Sequence, residues 1–269
     1  MVGGRRAGVL NLAGNRAGSR AGILGGVDLF ADDPMALPLT YPGRIPPGSG
    51  VLVDDAYVPH EWREGGAAIA ALLASAGQAP LDARHRVVAV GSNAAPGQLR
   101  RKFRDHGVRP VVPMTVARVP GIAPGVSAHV SKWGYVPAAP IETPGETSRL
   151  FVLWLDELQL AALDLTEPNY RRRPLERPVT LEDGTSLPPP FVYEGRHGCV
   201  AARGDGRPRR LTSQPALIQS LLDASAALRH LCGGTPEEFV ASVRDDTVRE
   251  AAYLLLQRES RVRRPAGGG

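Results

Sequence analysis

The chain has 269 residues, of which 43% are hydrophobic, so it can bury the core of one large or two small domains. Its net charge of +5 permits an acidic partner, but arginines scattered in pairs and triplets with few aromatic residues between them are more typical of solvated faces than of a nucleic-acid interface. No apolar run approaches the roughly 18 residues of a membrane span, and the two cysteines have neither metal nor redox spacing. These features predict a cytoplasmic protein with reduced thiols.

The amino-terminal part of the chain passes from a weakly patterned segment into a folded region. Residues 1–50 are rich in glycine, arginine and proline, which predicts a disordered or docking extension. An Ala/Leu run at 66–75 predicts a short helix, and the apolar run at 86–90 predicts a buried strand. Residues 95–106 carry apolar side chains four positions apart among basic ones, as on an amphipathic helix.

The middle of the chain alternates between strand and turn signals. The β-branched run at 111–119 predicts a strand, and 126–130 predicts a second one. Residues 134–145 are rich in proline and are expected to be irregular. The apolar run at 149–155 predicts a strand buried on both faces, and Asp156 is a candidate N-cap for the helix that follows it.

The last third of the chain becomes helical. Pro168 is expected to end the preceding helix, and 175–181 predicts a strand that closes at the turn Asp183-Gly184. Residues 215–231 predict one long amphipathic helix, and 245–259 predict another. We therefore expect a main α+β domain over 51–212, a helical segment over 213–260 packed on it, and a disordered tail over 261–269.

Two polar segments are candidates for a binding site. Gly91-Ser92-Asn93 follows a buried strand and precedes a helix, where exposed backbone N–H groups attract a carboxylate or a phosphate. Ser92 or Asn93 could equally cap that helix. Further along, Glu167 lies at the end of a helix, where it could transfer protons or merely pair with Arg171 or Arg172.

The order of these segments resembles the γ-glutamylcyclotransferase-like family. The resemblance covers roughly residues 86–203 and is carried by a glycine-serine-asparagine turn after a strand and by a later helix end before a basic strand. The matching residues are Gly91, Ser92, Asn93, Leu163, Asp164, Glu167 and Tyr170. The resemblance implies an α+β fold, namely a small mixed β-barrel with flanking helices, to which this chain adds a C-terminal helical segment.

The same resemblance implies a reaction that uses one glutamate and no metal or cofactor. The α-amine of a γ-glutamyl compound attacks its own amide carbonyl, giving a lactam such as 5-oxoproline and a free amine, with Glu167 as acid and base. Gly91, Ser92 and Asn93 would hold the polar end of the substrate. The sequence departs from the family in two places, because Val90 replaces a tyrosine and Pro168 replaces a glycine.

Further residues are expected to line the same pocket as Val90 and the glycine turn. Ser127 and His129 lie two positions apart on a predicted strand, so they share one face, and a barrel directs such a face inward. Tyr135 and Tyr170 could add aromatic walls. His129 could carry a second proton, orient a ligand carboxylate, or be a hydrogen-bonded core residue.

The leading hypothesis is an enzyme of acyltransferase or lyase type that acts on a small molecule with an amine and a carboxylate. One alternative is a carboxylate-binding protein of the same fold without catalysis, which Val90 and Pro168 favour. A second alternative is an arginine-rich nucleic-acid-binding protein. The C-terminal helices could also mediate oligomer formation.

Overall fold

The computed structural model describes residues 23–24, 27–63, 66–202 and 206–259, and the tail predicted over 261–269 lies outside them. The strands are β1 (Ile23–Leu24), β2 (Val27–Asp28), β3 (Gly50–Val53), β4 (Ala56–Pro59), β5 (His85–Ala89), β6 (Val111–Val126), β7 (Ala138–Leu155), β8 (Tyr170–Pro174), β9 (Val179–Leu181), β10 (Ser186–Leu187) and β11 (Phe191–Gly195). The helices are α1 (Ala67–Ser75), α2 (Pro96–Asp105), α3 (Glu157–Leu165), α4 (Gln214–Ala224), α5 (Ala226–Cys232), α6 (Pro236–Ser242) and α7 (Asp246–Glu259). None of these helices is both long and apolar enough to cross a membrane.

The fold is α+β, as predicted, and is built on a mixed sheet. In the described part of the chain this sheet has nine strands in the order β10-β9-β6-β7-β5-β11-β8, and the β3–β4 hairpin also pairs with β6. β11 runs parallel to β5 and antiparallel to β8. The two ends of this order, β10 and β8, do not pair with each other, so the described residues form an open sheet. The expected closed barrel is therefore not found.

The long hairpin of β6 and β7 forms the centre of the sheet and differs from the sequence prediction. The strand predicted at 111–119 lies within β6, which continues to Val126 through an irregularity at Gly121, whose φ is +81°. The strand predicted at 126–130 is wrong, because only Val126 belongs to β6 and Ser127 forms an isolated bridge with Cys199. The segment 134–145, expected to be irregular, supplies the start of β7 from Ala138 onward. Pro140 is accommodated in β7 because it lies opposite Pro124 of β6, so that two residues without an N–H donor face each other in the hairpin.

Two further elements differ from their predictions. Of the strand expected at 175–181, only Val179–Leu181 is a strand, namely β9. The strand before it, β8, ends at Pro174. The helix expected over 215–231 is broken at Ser225, which has an extended backbone. The Ser225 side chain accepts a hydrogen bond from the Leu228 N–H at 3.0 Å and so begins a new helix, α5.

One hydrophobic cluster positions the two candidate segments. Val87 and Ala89 of β5 are buried together with Phe103 of α2 and Leu163 of α3. The start of α3 is fixed by a capping box, in which the Asp156 and Gln159 side chains bond each other's backbone N–H. The carboxyl end of β5 and the carboxyl end of α3 are therefore held on the same side of this core.

Segments outside the resemblance also pack against the fold. Leu29 and Tyr41, in the stretch before β3, are 2% and 5% exposed. The C-terminal helices bury Leu217, Leu228 and Phe239 in a cluster with Val126 of β6. The domain boundaries proposed from the sequence stay predictions.

The break between α4 and α5 gives a stability prediction. Ser225→Ala removes the cap of α5 and is expected to lower the free energy of unfolding by about 1 kcal/mol. Ser213→Ala is the matched control, because Ser213 is exposed and precedes α4 without a side-chain cap bond. Urea denaturation of both variants checks the difference, and equal losses would contradict the capping role.

Candidate functional site

Two adjoining hollows lie between the end of β5 and the end of α3. The smaller, of about 40 Å³, is lined by the turn after β5 and by the carboxylate that follows α3. The larger is a cleft of about 320 Å³, within the usual range for small-ligand sites. Residues common to both hollows are Tyr41, Ser92, Glu167 and Tyr170. Ligand chemistry at the shared boundary would therefore involve Glu167.

Glu167 contacts two other side chains, which also bond each other. Lys102 Nζ lies 2.6 Å from Glu167 Oε1 and 2.8 Å from Asn93 Oδ1, and Asn93 Nδ2 donates to Glu167 Oε1 at 3.0 Å. The Lys102 and Glu167 side chains are only 10% and 11% exposed. Among the described residues, Glu167 Oε2 accepts no hydrogen bond. One carboxylate oxygen is thus fixed, and the other has no hydrogen-bond donor in the described part of the chain.

The alternative that Glu167 forms an ion pair is correct, but its partner is neither Arg171 nor Arg172. Arg171 pairs with Glu194 at 3.0 Å, and Arg172 pairs with Asp164 at 3.0 Å. Glu167 instead binds Lys102, which the sequence reasoning missed. The available signal was its position on α2, because Lys102 falls three residues after the buried Leu99 and so on the same face.

Asp164, which the resemblance also marked, has a structural role. Its carboxylate accepts two hydrogen bonds from Arg172 at 3.0 Å and one from the Tyr193 hydroxyl at 2.6 Å. Partial burial alone would raise the pKa of Asp164, but the hydrogen bonds from Arg172 and Tyr193 outweigh it and lower that pKa. This contact joins α3 to β8 and β11 and so fixes the loop that carries Glu167.

The glycine turn is shaped by close packing. A Cβ atom on Gly91 would lie 2.7 Å from both the Tyr41 hydroxyl and the Ala138 Cβ, so only glycine fits there. Neither Ser92 nor Asn93 caps a helix, because no side chain caps the 3₁₀ turn Ser92–Ala94 or the start of α2. The Asn93 side chain faces Glu167 and Lys102 instead.

Three tyrosines surround this turn. Tyr170 was predicted and lines both hollows, where its hydroxyl donates to the Ala138 carbonyl at 2.7 Å. Tyr135 was predicted and lines the cleft, stacking on Tyr41 with ring centroids 4.4 Å apart. Tyr41 was missed, because the glycine- and proline-rich stretch around it gives no local signal of a site.

The remaining predicted residues are divided between the walls and the interior. Val90 lines the small cavity and also packs against the core. His129 lines the cleft. Ser127 is fully buried, lines neither hollow, and bonds His129 Nδ1 at 2.7 Å. Ser127 therefore supports His129 from behind.

His129 does not suit a role as a second proton carrier. Its ring is 6% exposed and faces the rings of Tyr170 and His197. Burial, assisted by the nearby His197, lowers the pKa of His129 to about 3. His129 is therefore neutral at pH 7 and can only offer or accept hydrogen bonds.

Comparison with known proteins gives distant structural likeness. No protein-family model matches the chain, and no curated protein matches its sequence. Among solved structures it is similar to a gamma-glutamyl cyclotransferase, with a TM-score of 0.33 and 19% identity over 42% of this chain, and it spans 66% of that protein, just under two thirds. It is similar to an uncharacterized protein from Homo sapiens (TM-score 0.33, 20% identity, 42% of this chain and 67% of that one). It is also similar to a protein from Arabidopsis thaliana, with a TM-score of 0.35 and 14% identity, and the match covers 55% of this chain and 91% of that one. Likeness at this level carries no argument about activity.

The buried ion pair gives a prediction about stability. Lys102→Met leaves Glu167 as an uncompensated buried carboxylate and is expected to cost about 3–5 kcal/mol of unfolding free energy. The double variant Lys102→Met with Glu167→Gln is expected to cost less than the sum of the two single variants, because the charges are removed together. Arg171→Met, at a half-exposed pair, serves as control and should cost under about 1 kcal/mol. Additive losses in chemical denaturation would show that the pair is not coupled.

The buried imidazole gives a prediction about pH. Because the pKa of His129 is about 3 in the folded chain, the unfolded chain binds this proton at higher pH. The contribution of His129 to stability is therefore complete above about pH 6.5, the ordinary histidine value, and is lost as the pH falls toward 3.

Between pH 7 and pH 4.5 the free energy of unfolding of the wild type is expected to fall by about 2–3 kcal/mol more than that of His129→Asn, which can keep the Ser127 bond. The exposed His230, changed to Asn, is the control and should behave as the wild type. Denaturation curves at the two pH values test this, and an unchanged pH dependence in His129→Asn would refute it.

Proposed function

We propose that the protein catalyses the intramolecular aminolysis of a γ-glutamyl-type amide, releasing a cyclic lactam and an amine. The observation that carries the proposal is the meeting of Glu167 with the Gly91–Asn93 turn at one cavity, with Asn93 Nδ2 3.0 Å from the carboxylate. These two segments lie 74 positions apart in the chain. Their juxtaposition joins a proton-transferring group to a turn suited to a polar ligand.

The chemistry requires one carboxylate that faces a folded substrate. The α-nitrogen forms a bond to the γ-carbonyl carbon, and the amide C–N bond breaks. Two protons of the α-ammonium reach the leaving nitrogen, which departs as an ammonium. Glu167 Oε2 takes a proton from the nucleophile and returns it to the leaving group. Since both reacting groups belong to one molecule, holding it folded supplies much of the acceleration.

Lys102 and Asn93 prepare Glu167 for this role. In the ion pair, the carboxylate carries the charge that a base needs. Its orientation is fixed through Oε1, so the proton is exchanged at Oε2. Pro168, the departure from the family pattern, follows Glu167 without turning it away, because the carboxylate still lines the cavity.

The substrate requires more room than the small cavity offers. A volume of about 40 Å³ admits only a few atoms, such as one polar end of a ligand. The remainder would lie in the 320 Å³ cleft, whose walls include Arg101, Lys132 and Tyr135. The site therefore suits a molecule with a compact polar head and a second part beyond the scissile amide.

The same observations favour one second candidate, a carboxylate-binding protein without catalysis. Glu167 already has a cationic partner, and the cavity beside it is small. In such a protein, Lys102 and the glycine turn would hold a ligand carboxylate while Glu167 only balances charge.

The decisive experiment incubates the protein with γ-glutamyl amino acids and measures 5-oxoproline. Glu167→Gln is expected to lower kcat by about 10²–10⁴-fold, because the base is lost while the amide side chain still fits. Glu157→Gln, in the exposed first turn of α3, is the matched control and should keep activity. Turnover that survives in folded Glu167→Gln would overturn the proposal. A saturable thermal shift with 5-oxoproline but no turnover would favour the binding protein.

A further inference from the structure

Tyr41 brings a hydroxyl group to the glycine turn from a segment outside the family resemblance. It is 5% exposed and lies in the stretch that precedes β3. A Cβ on Gly91 would stand 2.7 Å from this hydroxyl, so the oxygen lies directly against the turn. The Ala138 N–H donates to the same oxygen at 2.8 Å, and the Ser92 amide also faces it.

Among the described residues, the proton of this hydroxyl has no hydrogen-bond acceptor. Because the oxygen accepts a backbone N–H, the O–H remains free to donate, yet no described residue accepts it. Burial raises the pKa of Tyr41 well above its usual value, so the group stays protonated. A buried donor without an acceptor costs free energy. This donor lines the small cavity beside Glu167, where a ligand oxygen would satisfy it.

The segment that carries Tyr41 is held rigidly in place. The ring stacks on Tyr135. Before it, Asp33 accepts a hydrogen bond from Gln98 of α2 at 3.4 Å, and after it, the Gly48 carbonyl accepts one from the Tyr57 hydroxyl at 2.7 Å. A donor that is fixed before the ligand arrives loses little free energy to reorganisation.

We infer that Tyr41 donates its O–H to an oxygen of the substrate at the Gly91 turn. This inference rests on the proposed function and adds a residue to its machinery. The acceptor is either the amide carbonyl, on which negative charge develops, or the substrate carboxylate. In the first case Tyr41 acts mainly on kcat, and in the second mainly on KM.

Tyr41→Phe tests the inference, because it keeps the stacked ring and removes one oxygen. We expect kcat/KM for a γ-glutamyl amino acid to fall about tenfold to hundredfold, in a variant that still folds although its melting temperature falls because the Ala138 N–H loses its acceptor. Tyr57→Phe is the matched control, since it removes a hydroxyl that anchors the same segment at Gly48, away from both hollows of the site. It should keep its activity.

The outcomes separate this inference from the proposed function. If the wild type is active and folded Tyr41→Phe stays within twofold of it, the inference fails and the function stands. If the wild type shows no turnover, the function fails, and calorimetric binding of 5-oxoproline decides the inference. Binding weakened at least tenfold in Tyr41→Phe would support the donor role, whereas equal binding, or none by the wild type, would overturn it.

Discussion

The site depends on a buried ion pair between Lys102 and Glu167, bridged by Asn93. Removing two charged groups from water costs several kcal/mol each, and their attraction offsets that cost only with good geometry and further hydrogen bonds. The 2.6 Å contact and the two Asn93 bonds meet that condition. Because the three residues come from α2, the loop after α3 and the turn after β5, the pair can form only when the core has brought these elements together.

Under the proposed function, the ion pair also limits which groups are left to bind a substrate. Lys102 and Glu167 neutralise each other, so together they offer little net charge to a ligand carboxylate. In the small cavity the backbone of the glycine turn and the Tyr41 hydroxyl remain as dipolar groups, while Arg101 and Lys132 line the adjoining cleft. Fixed dipoles of this kind need little reorganisation when a ligand binds.

The sequence predicted those parts of the structure that have local signals. The turn at Gly91, the N-cap at Asp156 and the amphipathic α2 are each encoded within a few neighbouring residues. The meeting of Glu167 with the turn followed from the family resemblance. Lys102 and Tyr41 were missed for a physical reason, because Lys102 pairs with Glu167, 65 positions away, and Tyr41 bonds Ala138, 97 positions away. The break at Ser225 was missed because an apolar periodicity continues through it.

Segments outside the resemblance reach the site from two sides. Tyr41 closes one side of the small cavity. On the other side, Gln257 of α7 donates to the carbonyls of Ala128 and His197 at 2.9 and 3.1 Å, next to the ring of His129. His197 also contacts Tyr253 of α7 edge-on. The walls of the cleft are thus supported by parts of the chain that the family pattern does not include. Under the proposed function, the substrate site is therefore built jointly by the part of the chain that carries the resemblance and by segments on either side of it.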